Sequence, residues 1–186
     1  ALSLRSESTD LVLEEPPKSI AKKQLKHIWC DGEKYPIEWS KVVTYREEPK
    51  WSLPTKNMKL HVSDRHVDKF VIHWDGCLNS KMCHKVLDSR GLSVHFCIDN
   101  DGTIIQLMDT NNIAWHARGV NTTSVGVEVS SAVYTKYAKK YKPARPIWEN
   151  VECHKKQLDP ILGFTDEQVK ALKVLTKTMC ERYKIP

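Results

Sequence analysis

The chain has 186 residues, an ordinary composition for a globular protein and a formal net charge of +6 at pH 7. This length suits one large domain, or one domain with an extension. No stretch approaches the roughly 20 apolar residues of a membrane span, and no N-terminal segment has the pattern of a signal peptide. We therefore expect a protein that is made in the cytoplasm.

The positive charge suits a polyanionic partner such as nucleic acid or a bacterial cell wall, or simply a surface that favours solubility. Nucleic-acid binding rests on this charge alone, because no basic cluster is interleaved with aromatic residues. The segment "YAKKYKPAR", residues 137–145, comes nearest, and we interpret it as a solvated loop. We expect no nucleic-acid partner.

The cysteines do not form a C-x-x-C pair. They stand at positions 30, 77, 83, 97, 153 and 180. A chain of this length can bury enough apolar surface to fold without disulfides, so we expect reduced thiols.

The N-terminal third is less regular than the rest of the chain. Residues 1–24 mix charged residues, Ser and a Pro pair, which is typical of a tail or linker. In the following segment, Asp31 and Gly32 predict a turn between two short strands. Residues 41–66 are polar and irregular. We interpret 25–66 as an N-terminal extension that packs on a main domain, residues 67–186, through its Trp residues.

The main domain begins with clear strand patterns. The run 69–74 predicts a buried strand, and 93–98 and 104–108 predict a pair of strands joined by the turn "NDGT". Residues 124–129 predict a further strand. Between the first two, "LNSKMCHKVLDSR" predicts a helix whose apolar positions include Met82, Val86 and Leu87.

The last element is a helix that begins near Thr165. Thr165 and Gln168 form a capping-box pattern, and an apolar stripe follows them. Strands mixed with helices predict an α/β protein: a central mixed β-sheet flanked by helices on both faces, with an irregular N-terminal extension.

Two side chains in the predicted strands are unusual for their positions. His73 ends the first core strand, and a lone histidine there is ordinarily a core residue with a satisfied hydrogen bond. In 124–129 the valines share one face, while Gly126 and Glu128 share the other. A glycine beside a glutamate leaves space over the carboxylate, although Glu128 on an exposed edge face would explain the pattern equally.

The loop "AWHARG" follows the predicted strand pair. Trp115 and His116 can line a groove for sugar or peptide, and ordinary loop packing explains them as well.

The order of these motifs resembles a known family. The runs "FVIHWDG", "SVHFCIDNDGTIIQL", "AWHARGVNTTSVGVEV" and "GFTDEQVKALKVL" resemble the type 2 zinc-dependent N-acetylmuramoyl-L-alanine amidases, which include phage amidases and peptidoglycan-recognition proteins. The resemblance covers about 69–186, and the details are most similar to phage-encoded members. It implies a mixed sheet flanked by helices, with Zn²⁺ in a surface groove that binds bacterial peptidoglycan.

The resemblance also assigns roles to residues. His73 matches the first zinc ligand, and Glu128 matches a candidate general base or electrostatic stabiliser. Members of the family build the groove at positions that match His95, Trp115, His116 and Asn121. Val94 stands where many members carry a tyrosine that can stabilise the oxyanion.

The family's other two zinc ligands follow the final helix, whereas this chain stops at Pro186. Our expectation is that the part carrying them was cut, omitted or disordered, and that the 186-residue chain alone binds zinc weakly. Cys153, His154 and Asp159 are chemically capable alternatives. They precede the final helix, however, so we interpret their segment as a loop.

These features predict a zinc-dependent peptidoglycan hydrolase that cleaves the amide between N-acetylmuramic acid and L-alanine. We expect a phage-encoded protein that acts at the bacterial cell wall, as a lytic enzyme or a virion component. The alternative is a non-catalytic peptidoglycan-binding module of the same fold.

Overall fold

The computed structural model describes residues 25–61, 65–153 and 155–186. The predicted tail, 1–24, lies outside these residues. In the described part of the chain, no helix is long and apolar enough to cross a membrane.

The described residues form thirteen strands and two α-helices, together with four short 3-10 helices. The strands are β1 (Lys26–Cys30), β2 (Glu33–Ile37), β3 (Val42–Thr44), β4 (Met58–Lys59), β5 (Lys69–Trp74), β6 (Phe96–Ile98), β7 (Ile104–Gln106), β8 (Ile113–Ala114), β9 (Ser124–Val129), β10 (Ile147–Trp148), β11 (Glu152–Cys153), β12 (Lys156–Gln157) and β13 (Ile161–Leu162). The helices are α1 (Ser80–Ser89) and α2 (Asp166–Tyr183).

Five strands form the central sheet in the order β3-β7-β6-β9-β5. The pair β6–β7 is antiparallel, whereas β3–β7, β6–β9 and β5–β9 are parallel. The predicted mixed sheet is therefore confirmed. The prediction of a buried strand at 69–74 is wrong in one respect: among the described strands β5 has only β9 as a neighbour, and Ile72 is 51% exposed at this edge of the sheet.

One face of the sheet packs against α2. Val125, Val127 and Val129 of β9 join a buried cluster with Leu175 and Met179 of α2. Because side chains alternate along a strand, Gly126 and Glu128 face the other way, as the sequence predicted.

The second face packs against α1. Cys83 and Leu87 of the helix form a buried cluster with Cys97 and Ile105 of the sheet. The sheet is thus covered on both faces, which confirms the predicted fold class. Met82 and Val86, predicted on the apolar face of α1, are 42% and 37% exposed. Cys83 is a small apolar residue that packs in their place.

The N-terminal extension is more integrated than its sequence indicated. Asp31 and Gly32 form the turn of the predicted hairpin, β1–β2. The segment beyond it, which reads as irregular, supplies β3 to the edge of the central sheet. Trp39 donates a hydrogen bond from Nε1 to the carbonyl of Gly102 at 2.7 Å. The division into an extension (25–66) and a main domain (67–186) stays a prediction.

The β6–β7 turn contacts the start of α2. Gly102 has a φ of +81°, and a Cβ there would lie 2.7 Å from the carbonyl oxygen of Glu167. Both the left-handed backbone and the close approach require glycine. The predicted capping box is present: Thr165 accepts from the backbone N–H of Gln168, and the Gln168 side chain accepts from that of Thr165.

Candidate active site

His73 is the penultimate residue of β5 and lies at the carboxyl end of a parallel strand. Its Nε2 is 3.0 Å from Nδ1 of His116. The other ring nitrogen of His116 lies 3.1 Å from the hydroxyl of Ser124. The rings of His73, the predicted zinc ligand, and His116, a predicted groove residue, are therefore in direct contact.

The glycine of β9 makes this arrangement possible. A Cβ at position 126 would lie 2.4 Å from Nδ1 of His116, well inside van der Waals contact. The His116 ring therefore occupies the volume that a larger residue would fill. Gly126 leaves room as the sequence indicated, and the room is taken by an imidazole.

Glu128 is the register partner of His73 across β5 and β9, so the two side chains lie on the same face of the sheet. Its Oε2 is buried and has no hydrogen-bond partner in the described structure. Burial, with a smaller contribution from the Asp75 carboxylate, raises the pKa of Glu128 to about 8. Burying a carboxyl oxygen without a partner costs free energy of folding. Such an oxygen can bind a proton, accept a hydrogen bond or coordinate a cation.

Both imidazoles of this pair are held in the neutral form. Burial lowers the pKa of His73. Burial also lowers the pKa of His116 to about 4, with help from His73 and the Arg65 guanidinium. Neutral imidazoles have a lone pair available for a metal or a proton at neutral pH.

His95 lies beneath the predicted groove, with no exposed surface. Its Nδ1 accepts a hydrogen bond from the backbone N–H of Gly126 at 3.1 Å, and its Nε2 lies 2.9 Å from the carbonyl of Asn112. Burial, and then the Arg65 charge, place the pKa of His95 well below its usual value. In this structure His95 supports β9 and is not accessible to a ligand.

The loop that carries His116 is held by Asn121. The Asn121 side-chain oxygen accepts from the backbone N–H groups of His116 at 3.1 Å and Ala117 at 2.7 Å. Trp115 is half-buried, and its backbone N–H donates to the hydroxyl of Ser93 at 2.8 Å. Asn121 therefore orients the predicted groove residue His116.

Arg65 was not identified from the sequence, although it organises the same loops. Its guanidinium donates to the backbone carbonyls of Thr110, Asn112, Asn121 and Ser124. Its Nε also donates to the carbonyl of Thr122 at 3.2 Å. No local sequence pattern signals this role, because all of these acceptors are backbone groups distant in the sequence.

The donors for a metal fall into two places. Within the described ranges, one group of three has its donor atoms within 4.8 Å of one another: Asp75, Cys77 and Cys83. His73 is not part of that group. The neutral His73 imidazole and the unpartnered Glu128 oxygen suit the family's zinc, but they do not make a complete ligand set.

The alternative ligands predicted from the sequence lie elsewhere. Cys153 is exposed in the small β11–β12 hairpin, and Asp159 is exposed just beyond it. Neither belongs to the three-donor group, and His154 lies outside the described residues. Val94, at the position of the family's tyrosine, is fully buried against the α1 face of the sheet and has no group that could stabilise an oxyanion.

Comparisons with known proteins agree with this fold. The structure of the endolysin N-acetylmuramoyl-L-alanine amidase LysCS from Clostridium intestinale is 21% identical, with a TM-score of 0.50, and the match covers 80% of this chain and 78% of that one. The N-acetylmuramyl-L-alanine amidase AmiD from E. coli is 20% identical, with a TM-score of 0.47 and coverage of 68% and 48%. Drosophila PGRP-LB is 18% identical, with a TM-score of 0.47 and coverage of 77% and 76%.

At 21% identity, the likeness to LysCS shows a shared fold only. No curated protein matches the sequence. The family model for N-acetylmuramoyl-L-alanine amidases matches residues 63–186, which is more than half of the chain and confirms the resemblance seen in the motif order. The chain therefore belongs to the N-acetylmuramoyl-L-alanine amidase family.

Proposed function

We propose that the protein is a zinc-dependent hydrolase that cleaves the amide between N-acetylmuramic acid and L-alanine in peptidoglycan. The observation that carries this proposal is the buried, unpartnered Oε2 of Glu128 on the same face as the neutral His73 imidazole. A half-buried carboxylate beside an imidazole at a strand end is the arrangement that metal-assisted amide hydrolysis needs.

In this proposal His73 would hold the zinc through a ring nitrogen, and Glu128 acts as the general base and then the general acid. When bound, zinc supplies a Lewis acid and lowers the pKa of water to about 7. Glu128 takes a proton from the attacking water and returns it to the nitrogen of the departing L-alanine. Because burial raises the pKa of Glu128 to about 8 in the metal-free protein, a nearby cation would favour its ionised form.

A basic cavity beside α1 supports a partner that carries carboxylates and sugars. This cavity of about 590 Å³ is lined by Lys50, Lys81, Lys85, Trp51 and His84, together with Asp99 and two asparagines, and lies apart from His73 and Glu128, which do not line it. Lysines attract the carboxylates of peptide stems, and an indole ring packs well against a sugar face. Peptidoglycan contains both carboxylates and sugars.

We also propose a phage-encoded protein that acts at the bacterial cell wall, as a lytic enzyme or virion component. The order and detail of the motifs support this origin. His95 and Asn121 act in the proposal as supports for β9 and the His116 loop, while Trp115 and His116 face the substrate.

A digest of purified peptidoglycan tests the reaction. Cleavage of this amide frees the α-amino group of L-alanine and creates no new reducing sugar ends. We expect His73→Ala to lose the zinc held at the His73 position and the release of alanine amino groups. Glu128→Gln should keep the metal and lose about 10²–10⁴-fold in turnover.

Matched controls are His27→Ala and the exposed Glu152→Gln, which should leave turnover unchanged. New reducing ends without alanine amino groups would contradict the proposal. So would full activity of His73→Ala.

A second function, peptidoglycan binding without hydrolysis, is favoured by one observation. In the part of the chain that the structure describes, His73 belongs to no group of three metal donors. Co-sedimentation with peptidoglycan separates the two functions. A binding module would sediment with the wall, release no alanine amino groups, and keep its binding after His73→Ala.

A further inference from the structure

A cluster of thiols and one carboxylate lies where the chain leaves β5 and enters α1. The donor atoms of Asp75, Cys77 and Cys83 lie within 4.8 Å of one another. Cys83 is 3% exposed and Cys97, on β6, is fully buried, and both belong to the buried cluster between α1 and the sheet. We call Asp75, Cys77 and Cys83 the thiol cluster, with Cys97 behind it.

Backbone contacts hold the carboxylate of the cluster in place. Oδ1 of Asp75 accepts from the backbone N–H groups of Cys77 at 2.8 Å and Ser131 at 3.1 Å, and its Oδ2 accepts from the Ser130 hydroxyl at 2.7 Å. Since each carboxylate oxygen can accept two bonds, these contacts occupy Oδ1 and leave one lone pair on Oδ2. The carboxylate is therefore oriented and still has capacity for another partner.

The start of α1 brings the two thiols together. Asn79 caps the helix by accepting from the backbone N–H of Met82. The cap places Cys83 at the end of the first turn, pointing back toward the segment that holds Cys77. Cys77 is half-buried, so an ion can reach the cluster from solvent.

We propose that Asp75, Cys77 and Cys83 bind a thiophilic divalent cation such as Zn²⁺, at a site separate from the zinc position that His73 serves. Two thiolates and a carboxylate are a donor set that zinc accepts, and a fourth position stays open for water or, after a small shift, for Cys97. His73 lies outside the group, two residues before Asp75.

Binding has a defined proton balance. The two thiols become thiolates and their protons pass to solvent, while Asp75 binds as the carboxylate. Contact with Cys83, and then burial, raise the pKa of the Cys77 thiol, so this proton is still present before the metal arrives. About two protons should therefore be released for each ion bound near neutral pH.

A Co²⁺ titration of the reduced, metal-free protein tests the site. Thiolate ligands give Co²⁺ a near-ultraviolet charge-transfer band that imidazole and carboxylate ligands do not give. We expect this band to saturate at one ion per chain and to disappear when Zn²⁺ displaces Co²⁺. Proton release measured with a pH indicator gives a second readout.

Four variants make the test specific. Cys77→Ser and Cys83→Ser should lose the band, and their affinity should fall by more than the roughly 10–100-fold typical of losing an outer-shell partner. Cys180→Ser is the matched control, since it removes a thiol elsewhere on the chain. His73→Ala should keep the band, which separates this site from the proposed catalytic zinc.

Three results would overturn the proposal. They are a reduced protein that gives no band, a band that survives Cys77→Ser, and a Cys77–Cys83 disulfide that forms whether or not metal is present. Cys77 is half-buried, so its serine variant should fold even if Cys83→Ser does not, and circular dichroism checks this.

Discussion

Two polar clusters near the carboxyl end of β9 differ in how their buried groups are satisfied. The arginine cluster centres on Arg145, which is 6% exposed. Its guanidinium donates to the carbonyls of Gly163 and Ser130 and to the side chain of Gln168, each at 2.9 Å, and to the side chain of Asn100. Among its nitrogens only Nε is without a partner.

The histidine–glutamate cluster consists of His73, His116 and Glu128. Its imidazoles contact each other, but Oε2 of Glu128 is buried without a partner. In the arginine cluster, the hydrogen bonds of the guanidinium connect α2 to the neighbouring loops. The unsatisfied carboxyl in the second cluster does not stabilise the metal-free protein and is available for chemistry.

The largest expected effect on folding comes from removing the arginine. Arg145→Ala leaves two buried acceptors, the carbonyl of Gly163 and the side-chain oxygen of Asn100, without the donor they have now, and each such group costs about 1–3 kcal/mol. We expect the free energy of unfolding, measured by urea denaturation, to fall by about 2–6 kcal/mol. The exposed Arg90→Ala is the control, and equal losses in the two variants would remove the distinction between the clusters.

The second prediction concerns pH in the metal-free protein. Because the folded pKa of Glu128, about 8, lies above the ordinary value of 4.5, the unfolded chain loses this proton first as pH rises. Glu128 therefore lowers stability progressively from about pH 4.5 to pH 8, and the loss is complete above that.

Comparison of wild type with Glu128→Gln isolates this contribution. We expect equal free energies of unfolding near pH 4, and a variant that is more stable by about 2–4 kcal/mol near pH 9. The exposed Glu152→Gln serves as control. A wild-type protein that stays as stable as Glu128→Gln at pH 9 would show that the carboxyl is satisfied after all.

The third prediction uses the space above Gly126. Gly126→Ala forces the His116 ring to move, at a cost typical of overpacking, about 1–3 kcal/mol, and it should separate His73 from His116. We expect turnover to fall in this variant as well. The double variant Gly126→Ala/His116→Ala should recover stability relative to Gly126→Ala, because the clashing ring is gone; a further loss would contradict the contact.

The smallest expected effect is at the helix cap beside the arginine cluster. Thr165→Ala removes the cap of α2 and a hydrogen bond to the carbonyl of Asn100 at 3.0 Å. The free energy of unfolding should fall by about 1 kcal/mol. The exposed Thr122→Ala is the control, and turnover should not change in either variant.

Several features followed from local sequence alone because their causes are local. The turn at 31–32, the β6–β7 turn and the capping box at Thr165 each depend on residues within four positions of one another. The alternation in β9 predicted which side chains share a face, since side chains alternate along any strand. His73 at a strand end and Glu128 opposite the valines were placed by this reasoning and by the family's motif order.

Other features depended on contacts between distant segments. Val42–Thr44, within a segment that we predicted to be irregular, forms β3 by pairing with β7 at an edge of the sheet. The segment "YAKKYKPAR", which we interpreted as a solvated loop, buries Tyr141 and Arg145, since carbonyl and amide acceptors from three other segments surround the guanidinium.

The sequence by itself determined four strands of the central sheet, the cap of α2 and the family, because short-range sterics and the order of motifs depend on neighbouring residues. The tertiary structure alone decided that His116 fills the space above Gly126, that Oε2 of Glu128 lacks a partner, and that Asp75, Cys77 and Cys83 meet. Burial and hydrogen-bond satisfaction are properties of surroundings, and segments far apart in the chain create those surroundings.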